Sequence, residues 1–204
     1  MTSMTDPVNH YLRAKAFVLD AGYAGEYLWQ VRQKGRAVTE TEFLREYSWV
    51  VLGCGFRETV VRRVFPFVSM AYFDFVSASV IVDHAAECIR LASACFGNRK
   101  KLQAIVHGAS LVASVGIAEL WEQLTKDRRA LLNLPFIGGV TAAHLLKNLG
   151  ADVAKNDRHL AKLSVELGFS DASTLCAFIS TRTGEPVSAV DIVLWRHCTL
   201  TAYV

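Results

Sequence analysis

The feature that most constrains this 204-residue chain is a break, from Pro135 to Gly139, between two segments with helical patterning. A proline ends a helix because it lacks an amide donor and its ring clashes with the preceding turn. The adjacent glycines then allow a tight bend and a close approach of the backbone. The segment therefore predicts two helices joined by a short hairpin, with the second helix beginning near Val140.

The start of that second helix is a candidate anion site. The first turn of a helix leaves backbone amides without an acceptor, and such amides, together with the helix dipole, bind anions. The candidate ligands of a phosphate group are the amides of Gly138, Gly139, Val140 and Thr141. An ordinary turn between two packed helices explains the same residues without any ligand, so the hairpin by itself leaves both interpretations open.

A carboxylate follows the hairpin at short range, because Asp157 lies 19 residues beyond Gly138. Asp157 precedes a further helical segment, and aspartate is a favoured N-cap residue. Capping and catalysis do not exclude each other, since a carboxylate at the start of a helix can also face a ligand. Lys155 and Arg158 flank Asp157 and are candidates for contact with a phosphate backbone.

The rest of the chain has helical periodicity and almost no strand alternation. A capping box, Thr39 to Glu42, predicts a helix from Glu40 to about Leu52. Further helices are predicted over residues 6–21, 25–33, 57 onward with a bend at Pro66, 77–96, 99–114, 117–124, 128–134, 140–149, 157–167, 171–182 and 187–198. The pattern predicts an all-α, bundle-like fold, as one domain over residues 1–204 or as two lobes that share a cleft. In the second case the N-terminal helix packs beside the C-terminal helices.

Composition excludes several classes of protein. Hydrophobic residues make up 52% of the chain and charged residues 20%, which argues against disorder. The five cysteines are scattered without a C-x-x-C pair, so we expect no disulfide framework, no metal site and no iron–sulfur cluster. We see no targeting signal and no apolar run of the roughly 18–20 residues that a membrane span needs. We therefore expect a cytoplasmic protein with reduced thiols; its net charge of +3 supports a polyanionic partner only weakly.

The hairpin and the acid together resemble a known family. The pattern Leu-Pro-x-Ile-Gly-x-x-Thr-Ala over residues 134–142, followed after a helix by Asp-Arg-His-Leu over 157–160, is similar to the helix-hairpin-helix DNA glycosylases. The strong match covers residues 128 to 167. The resemblance implies a two-lobed helical bundle with the hairpin motif at about 128–149, a catalytic loop at about 150–160 and a cleft between the lobes. It also implies that the hairpin amides hold a DNA phosphate and that Asp157 serves base excision.

An upstream segment resembles the early helix of the same family. It runs from Glu42 to Arg57, and in relatives the loop after this helix inserts a wedge residue into the DNA stack. By position, Phe56 or a neighbour such as Arg57 would fill the gap left by an extruded base, and core packing explains Phe56 equally well. Tyr47 and Trp49 are candidates for stacking on the base, although most aromatic residues of this kind belong to the core.

Departures from the family pattern refine the expected chemistry. Phe136 stands where relatives usually carry glycine, so the turn itself is altered. Relatives that also cut the DNA strand use a lysine at one of two positions, where this chain has Val140 or Arg129. A guanidinium stays protonated and cannot form a Schiff base with the sugar aldehyde, so strand cleavage is not expected.

The resemblance therefore implies a monofunctional DNA glycosylase. It would flip a damaged or modified base out of double-stranded DNA and hydrolyse the N-glycosidic bond, either in repair or in defence against phage DNA with modified bases. No cofactor or metal is implied, and we expect a monomer. The alternative is a non-catalytic helix-hairpin-helix protein that binds DNA phosphates without chemistry.

Overall fold

The computed structural model describes residues 6–33, 37–127 and 129–201, and the regular secondary structure in these ranges is helical throughout. The α-helices are α1 (Pro7–Val18), α2 (Ala24–Gln33), α3 (Glu40–Gly53), α4 (Glu58–Ala71), α5 (Ala78–Asp83), α6 (Ala85–Ala92), α7 (Arg99–Val115), α8 (Ile117–Lys126), α9 (Gly139–Asn148), α10 (Arg158–Glu166), α11 (Ala172–Thr183) and α12 (Val187–Thr201). A π-helical turn (Leu19–Tyr23) and two 3-10 turns (Phe73–Phe75 and Ala130–Asn133) complete them. The predicted all-α fold class is confirmed.

The chain divides into two compact units. The first unit combines residues 1–36 with 146–204, and the second unit comprises residues 37–145. In the first unit, α1 packs against α11 and α12, so the N-terminal helix lies beside the C-terminal helices as predicted. Helix α9 begins in the second unit and ends in the first.

Helix α12 organises the core of the first unit, because it contacts α1, α2, α10 and α11. Its buried positions Val190, Val193 and Leu194 repeat at the helical spacing and meet the fully buried Tyr11 of α1. The remaining buried apolar residues of this core are Ala14, Ala154, Leu160, Leu163, Leu167, Ala172, Leu175, Cys176 and Ile179.

A close crossing of α3 and α7 organises the second unit. The Tyr47 ring of α3 lies against Gly108 of α7, where an added Cβ would stand 2.4 Å from the ring carbon Cε1. Only glycine leaves room for the ring at this depth. The Tyr47 hydroxyl donates a hydrogen bond of 3.2 Å to the carbonyl of Pro135, so the crossing supports the residues that precede α9.

Two predicted helices differ from the structure. The prediction of one helix over residues 77–96 is wrong. The backbone of His84 has a non-helical conformation and separates α5 from α6. Residues 130–133 form a single 3-10 turn instead of the helix predicted over 128–134, of which Arg128 lies outside the described residues. Asp127 is extended and its side chain accepts from the amide of Arg129, which competes with a helix there.

The structure also bears on membrane insertion. In the described ranges no single helix is both long and apolar enough to cross a membrane, and the one pair of helices that reaches this length together, α7 and α8, is bent by 106°.

Replacing Gly108 with alanine tests the α3–α7 crossing. The added methyl group overlaps the Tyr47 ring, so we expect Gly108→Ala to lower the free energy of unfolding by about 1–3 kcal/mol. Gly53→Ala is the matched control, since a Cβ there meets no atom within 4 Å and alanine favours a helix. Urea unfolding of both variants measures the difference; equal stability of the two would contradict the close packing.

Candidate nucleic-acid interface and active site

The hairpin presents exposed amides at the start of α9. The amide of Gly138 donates to the Thr141 hydroxyl at 2.7 Å, and the Ala142 amide donates to the Gly138 carbonyl, also at 2.7 Å. The amides of Gly139, Val140 and Thr141 fall in the first turn, where a helix offers no acceptor. Gly138, Gly139 and Val140 are exposed. Of the four amides predicted to bind a phosphate, three therefore remain available and one already has an intramolecular partner.

Phe136 adopts the backbone conformation that glycine prefers. Its φ is +63°, in the left-handed region, where a residue with a Cβ is strained by about 1–2 kcal/mol. Hydrogen bonds on both sides hold the turn in place: the Thr141 hydroxyl lies 3.2 Å from the Phe136 carbonyl, and Tyr47 donates to the carbonyl of Pro135. The turn thus keeps a shape suited to glycine at a local cost in free energy.

A buried lysine connects the end of α3 to this hairpin. Lys101 Nζ donates to the carbonyls of Val51 and Leu52, at 2.6 and 3.0 Å, and to that of Cys54. These carbonyls end α3, and a cation is favourable at the negative end of a helix. Burial lowers the pKa of Lys101. The ammonium also lies 4.8 Å from the ring centroid of Phe56 and 5.4 Å from that of Phe136.

The wedge candidates lie in the turn after α3. Phe56 is 42% exposed and packs against Phe96 with ring centroids 5.2 Å apart, so it combines partial packing with a free face. Arg57 is exposed and is the N-cap residue of α4. Trp49 is partly buried against the edge of Phe65, at 5.2 Å between centroids.

Tyr47 has a different position from the one that the sequence suggested. Its ring is fully buried beneath α7, and its hydroxyl is bonded to Pro135. Burial raises the pKa of Tyr47. A ring in this position has no face on which a base could stack, so Tyr47 supports the hairpin instead of lining a base pocket.

In the first unit, residues 149–157 form the loop between α9 and α10, which we call the acid loop. It starts with a Schellman motif: the amide of Ala151 bonds to the carbonyl of Leu146 at 2.9 Å, and that of Gly150 bonds to Lys147 at 3.1 Å. Gly150 has a φ of +97°, which requires glycine. Within the acid loop only Leu149 and Ala154 are buried, so polar contacts and not apolar packing must hold most of it in place.

Those polar contacts satisfy the first amides of three helices. Asp152 Oδ1 accepts from the Ser188 amide at the start of α12, at 3.0 Å. Asn156 Oδ1 accepts from the Ala172 amide at the start of α11, at 3.1 Å. Asp157 is the N-cap residue of α10. The acid loop is therefore tied to three helix N-termini at once.

The two carboxylate oxygens of Asp157 have different partners. Oδ1 accepts from the amides of His159 and Leu160, at 3.0 and 3.1 Å, which is the predicted capping role. Oδ2 lies 3.3 Å from Lys155 Nζ, and the Asp157 side chain retains 14% of its exposure. The predicted catalytic acid is thus neither sealed beneath apolar neighbours nor fully open to solvent.

The residues around Asp157 are cationic and aromatic. Lys155 Nζ lies 5.5 Å from the ring centroid of Trp195, which is partly exposed on α12. Arg158 is exposed at the start of α10, so it and Lys155 remain candidates for contact with an anion.

Burial, followed by the charge of Asp157, raises the pKa of the Cys198 thiol to about 11, which leaves this thiol uncharged and weakly nucleophilic at neutral pH.

The described residues contain no group of three or more His, Cys, Asp and Glu side chains that could hold a metal ion. All five cysteines are free thiols, of which Cys88 and Cys176 are buried.

Lys101 and Asp191 are site residues that reasoning from the sequence did not identify. Both contact partners that are far away in sequence, and local patterns carry no information about such pairs. The signal that was present is a lone charge in an apolar helical run, as for Asp191 between Val190 and Ile192. A charge at such a position is buried, and a buried charge needs a partner.

No protein-family model matches the sequence, and no curated protein matches it either. Among solved structures the chain is similar to the Methanocaldococcus jannaschii 8-oxoguanine glycosylase/lyase, crystallised in complex with a 15mer DNA containing 8-oxoguanine. The match covers 90% of this chain and 94% of that chain, with a TM-score of 0.61 and 16% sequence identity. This likeness shows that the chain has the fold of that glycosylase/lyase. The matched region includes most of both units.

Two substitutions at Phe136 test the strain in the hairpin. Both Phe136→Ala and Phe136→Gly remove the ring, but only glycine accepts a φ of +63° without strain. We expect the glycine variant to be more stable than the alanine variant by about 1 kcal/mol in urea unfolding. Greater stability of the alanine variant would show that the turn is not left-handed at this position.

Proposed function

We propose that this chain is a monofunctional DNA glycosylase that removes a modified base from double-stranded DNA. The observation that carries the proposal is the geometry of Asp157, whose Oδ1 caps α10 while Oδ2 lies 3.3 Å from Lys155 Nζ in a side chain that is 14% exposed. A carboxylate held rigidly by a helix terminus, with one oxygen left for a ligand, suits the stabilisation of a developing positive charge.

The hairpin would bind the phosphate backbone of the DNA. Free amides of Gly139, Val140 and Thr141 point from a helix N-terminus, where a phosphate is favoured. Arg158 and Lys155 would add charge-assisted contacts to phosphates, which fix the register of the DNA without reading its sequence. The similar solved structure supports this assignment, because that glycosylase/lyase was crystallised with DNA.

The chemistry follows from what a glycosidic bond requires. A base within a duplex must first be rotated out of the stack, at a cost of a few kcal/mol, and Phe56 is the candidate for filling the gap. As the bond from C1′ to the base breaks, positive charge builds on the sugar. The Asp157 carboxylate would stabilise this charge and orient or deprotonate the attacking water. Lys155 would exchange its contact with Asp157 for one with a DNA phosphate.

Hydrolysis without strand cleavage is part of the proposal. The two positions at which relatives carry a nucleophilic lysine hold Val140 and Arg129, and neither forms a Schiff base. Lys155 contacts Asp157 and is the lysine to which any cleavage would be assigned.

The base itself is the open part of the substrate. The oxidised purine 8-oxoguanine is among the candidates, because the similar glycosylase/lyase was crystallised with DNA that contains it. Alkylated, deaminated, mispaired and enlarged phage bases remain candidates, for repair or for defence. A monomer acting in the cytoplasm completes the proposal.

A panel of duplexes tests the activity and its type together. Each duplex carries one of 8-oxoguanine, uracil, hypoxanthine, 7-methylguanine or glucosylated 5-hydroxymethylcytosine. We expect at least one to release its base, with strand breaks that appear only after alkali treatment. Breaks without alkali, together with borohydride trapping that is lost in Lys155→Met, would contradict the monofunctional assignment.

The second candidate function is DNA binding without chemistry. The contact between Lys155 and Asp157 favours it, because an acid already paired with a lysine is less available to a sugar. Such a module would bind duplex DNA with an affinity that falls steeply with salt and would release no base from any member of the panel.

A further inference from the structure

A buried ion pair lies directly behind the acid loop in the first unit. Lys147 on α9 and Asp191 on α12 form it through Nζ and Oδ1, with side chains that are 4% and 1% exposed. The second oxygen of Asp191 accepts the backbone amide of Lys155 at 2.7 Å. One carboxylate thus joins the end of α9, the middle of α12 and the residue two positions before Asp157.

Stability alone is a poor explanation for this pair. Removing two charges from water costs about as much as their attraction returns, and apolar replacements of buried pairs are often neutral or stabilising. Both residues occupy helix positions where an apolar side chain would suit the surrounding core. A gain in the free energy of unfolding therefore does not explain why this ion pair is present.

The acid loop provides an explanation. Within it only Leu149 and Ala154 are buried, and none of Lys155, Asn156 and Asp157 is, so apolar packing does not hold the segment around Asp157 in one conformation. The bond from the Lys155 amide to Asp191 lies two residues before Asp157 and ends on a side chain that is 1% exposed, beside the bond from the Ala172 amide to Asn156. A misplacement of about 1 Å at a catalytic group can cost about 100-fold in rate, so an anchor at this point matters for chemistry.

We propose that Asp191 is a positioning residue: it holds the backbone of Lys155 and thereby sets the position of Asp157 for base release. Lys147 neutralises Asp191, so that its carboxylate can stay buried at this place. The proposal rests on the glycosylase function proposed above and assigns no contact between Asp191 and DNA.

The test compares two double variants that differ in one acceptor. Single substitutions leave a buried charge without its partner and unfold the protein too readily to be informative. Lys147→Met with Asp191→Asn removes both charges and keeps an oxygen for the Lys155 amide. Lys147→Met with Asp191→Leu removes both charges and the acceptor, with a side chain of similar size.

Two readouts are compared at a temperature where circular dichroism shows both variants to be folded. The first is single-turnover release of the base that the wild-type chain excises fastest, with enzyme in excess. The second is hydrogen exchange of the peptide that covers residues 149–157. We expect the double variant with Asp191→Leu to release the base about 10-fold to 100-fold more slowly than the double variant with Asp191→Asn. In the double variant with leucine we also expect faster exchange in this peptide than in the double variant with asparagine.

Equal rates of base release in the two double variants would overturn the proposal, and so would equal exchange of the loop peptide. A wild-type chain that releases no base would overturn the proposed function instead. In that case the exchange experiment still decides whether Asp191 anchors the acid loop, since it needs no substrate.

Discussion

The position of Asp157 depends on helix amides that must find acceptors outside their own helices. The N-termini of α10, α11 and α12 each take an oxygen from the acid loop, through Asp157, Asn156 and Asp152. This arrangement fixes a loop that has almost no apolar core of its own. Asp157 is therefore held by the same contacts that complete α10, and its second oxygen is left at a defined place.

The hairpin in the second unit is held by a comparable set of long-range contacts. The Tyr47 hydroxyl donates a hydrogen bond to the Pro135 carbonyl, and Lys101 connects the end of α3 to the rings of Phe56 and Phe136. These contacts maintain a left-handed residue at Phe136, where a glycine would adopt the same shape without strain. The turn after α3 and the hairpin are thus connected through Lys101 within that unit.

Reasoning from the sequence succeeded where the signal was local. Periodicity and the capping box at Thr39 located α3, and proline with glycine located the start of α9. It failed at His84, where apolar spacing continues across a backbone break, and at residues 130–133, where Asp127 and Pro135 leave room for one turn. The capping role of Asp157 was foreseen, whereas Tyr47, a candidate for stacking on the base, is a buried core residue. The partners of Lys101 and Asp191 could not be inferred, because they lie tens of residues away in the sequence.

The most direct measurement is base release by Asp157→Asn under single-turnover conditions. Asparagine caps a helix as well as aspartate does, so α10 and the fold should persist while the negative charge is lost. We expect base release to fall by about 100-fold to 10,000-fold, with affinity for duplex DNA retained. A variant that releases the base at the wild-type rate would contradict the central role of Asp157.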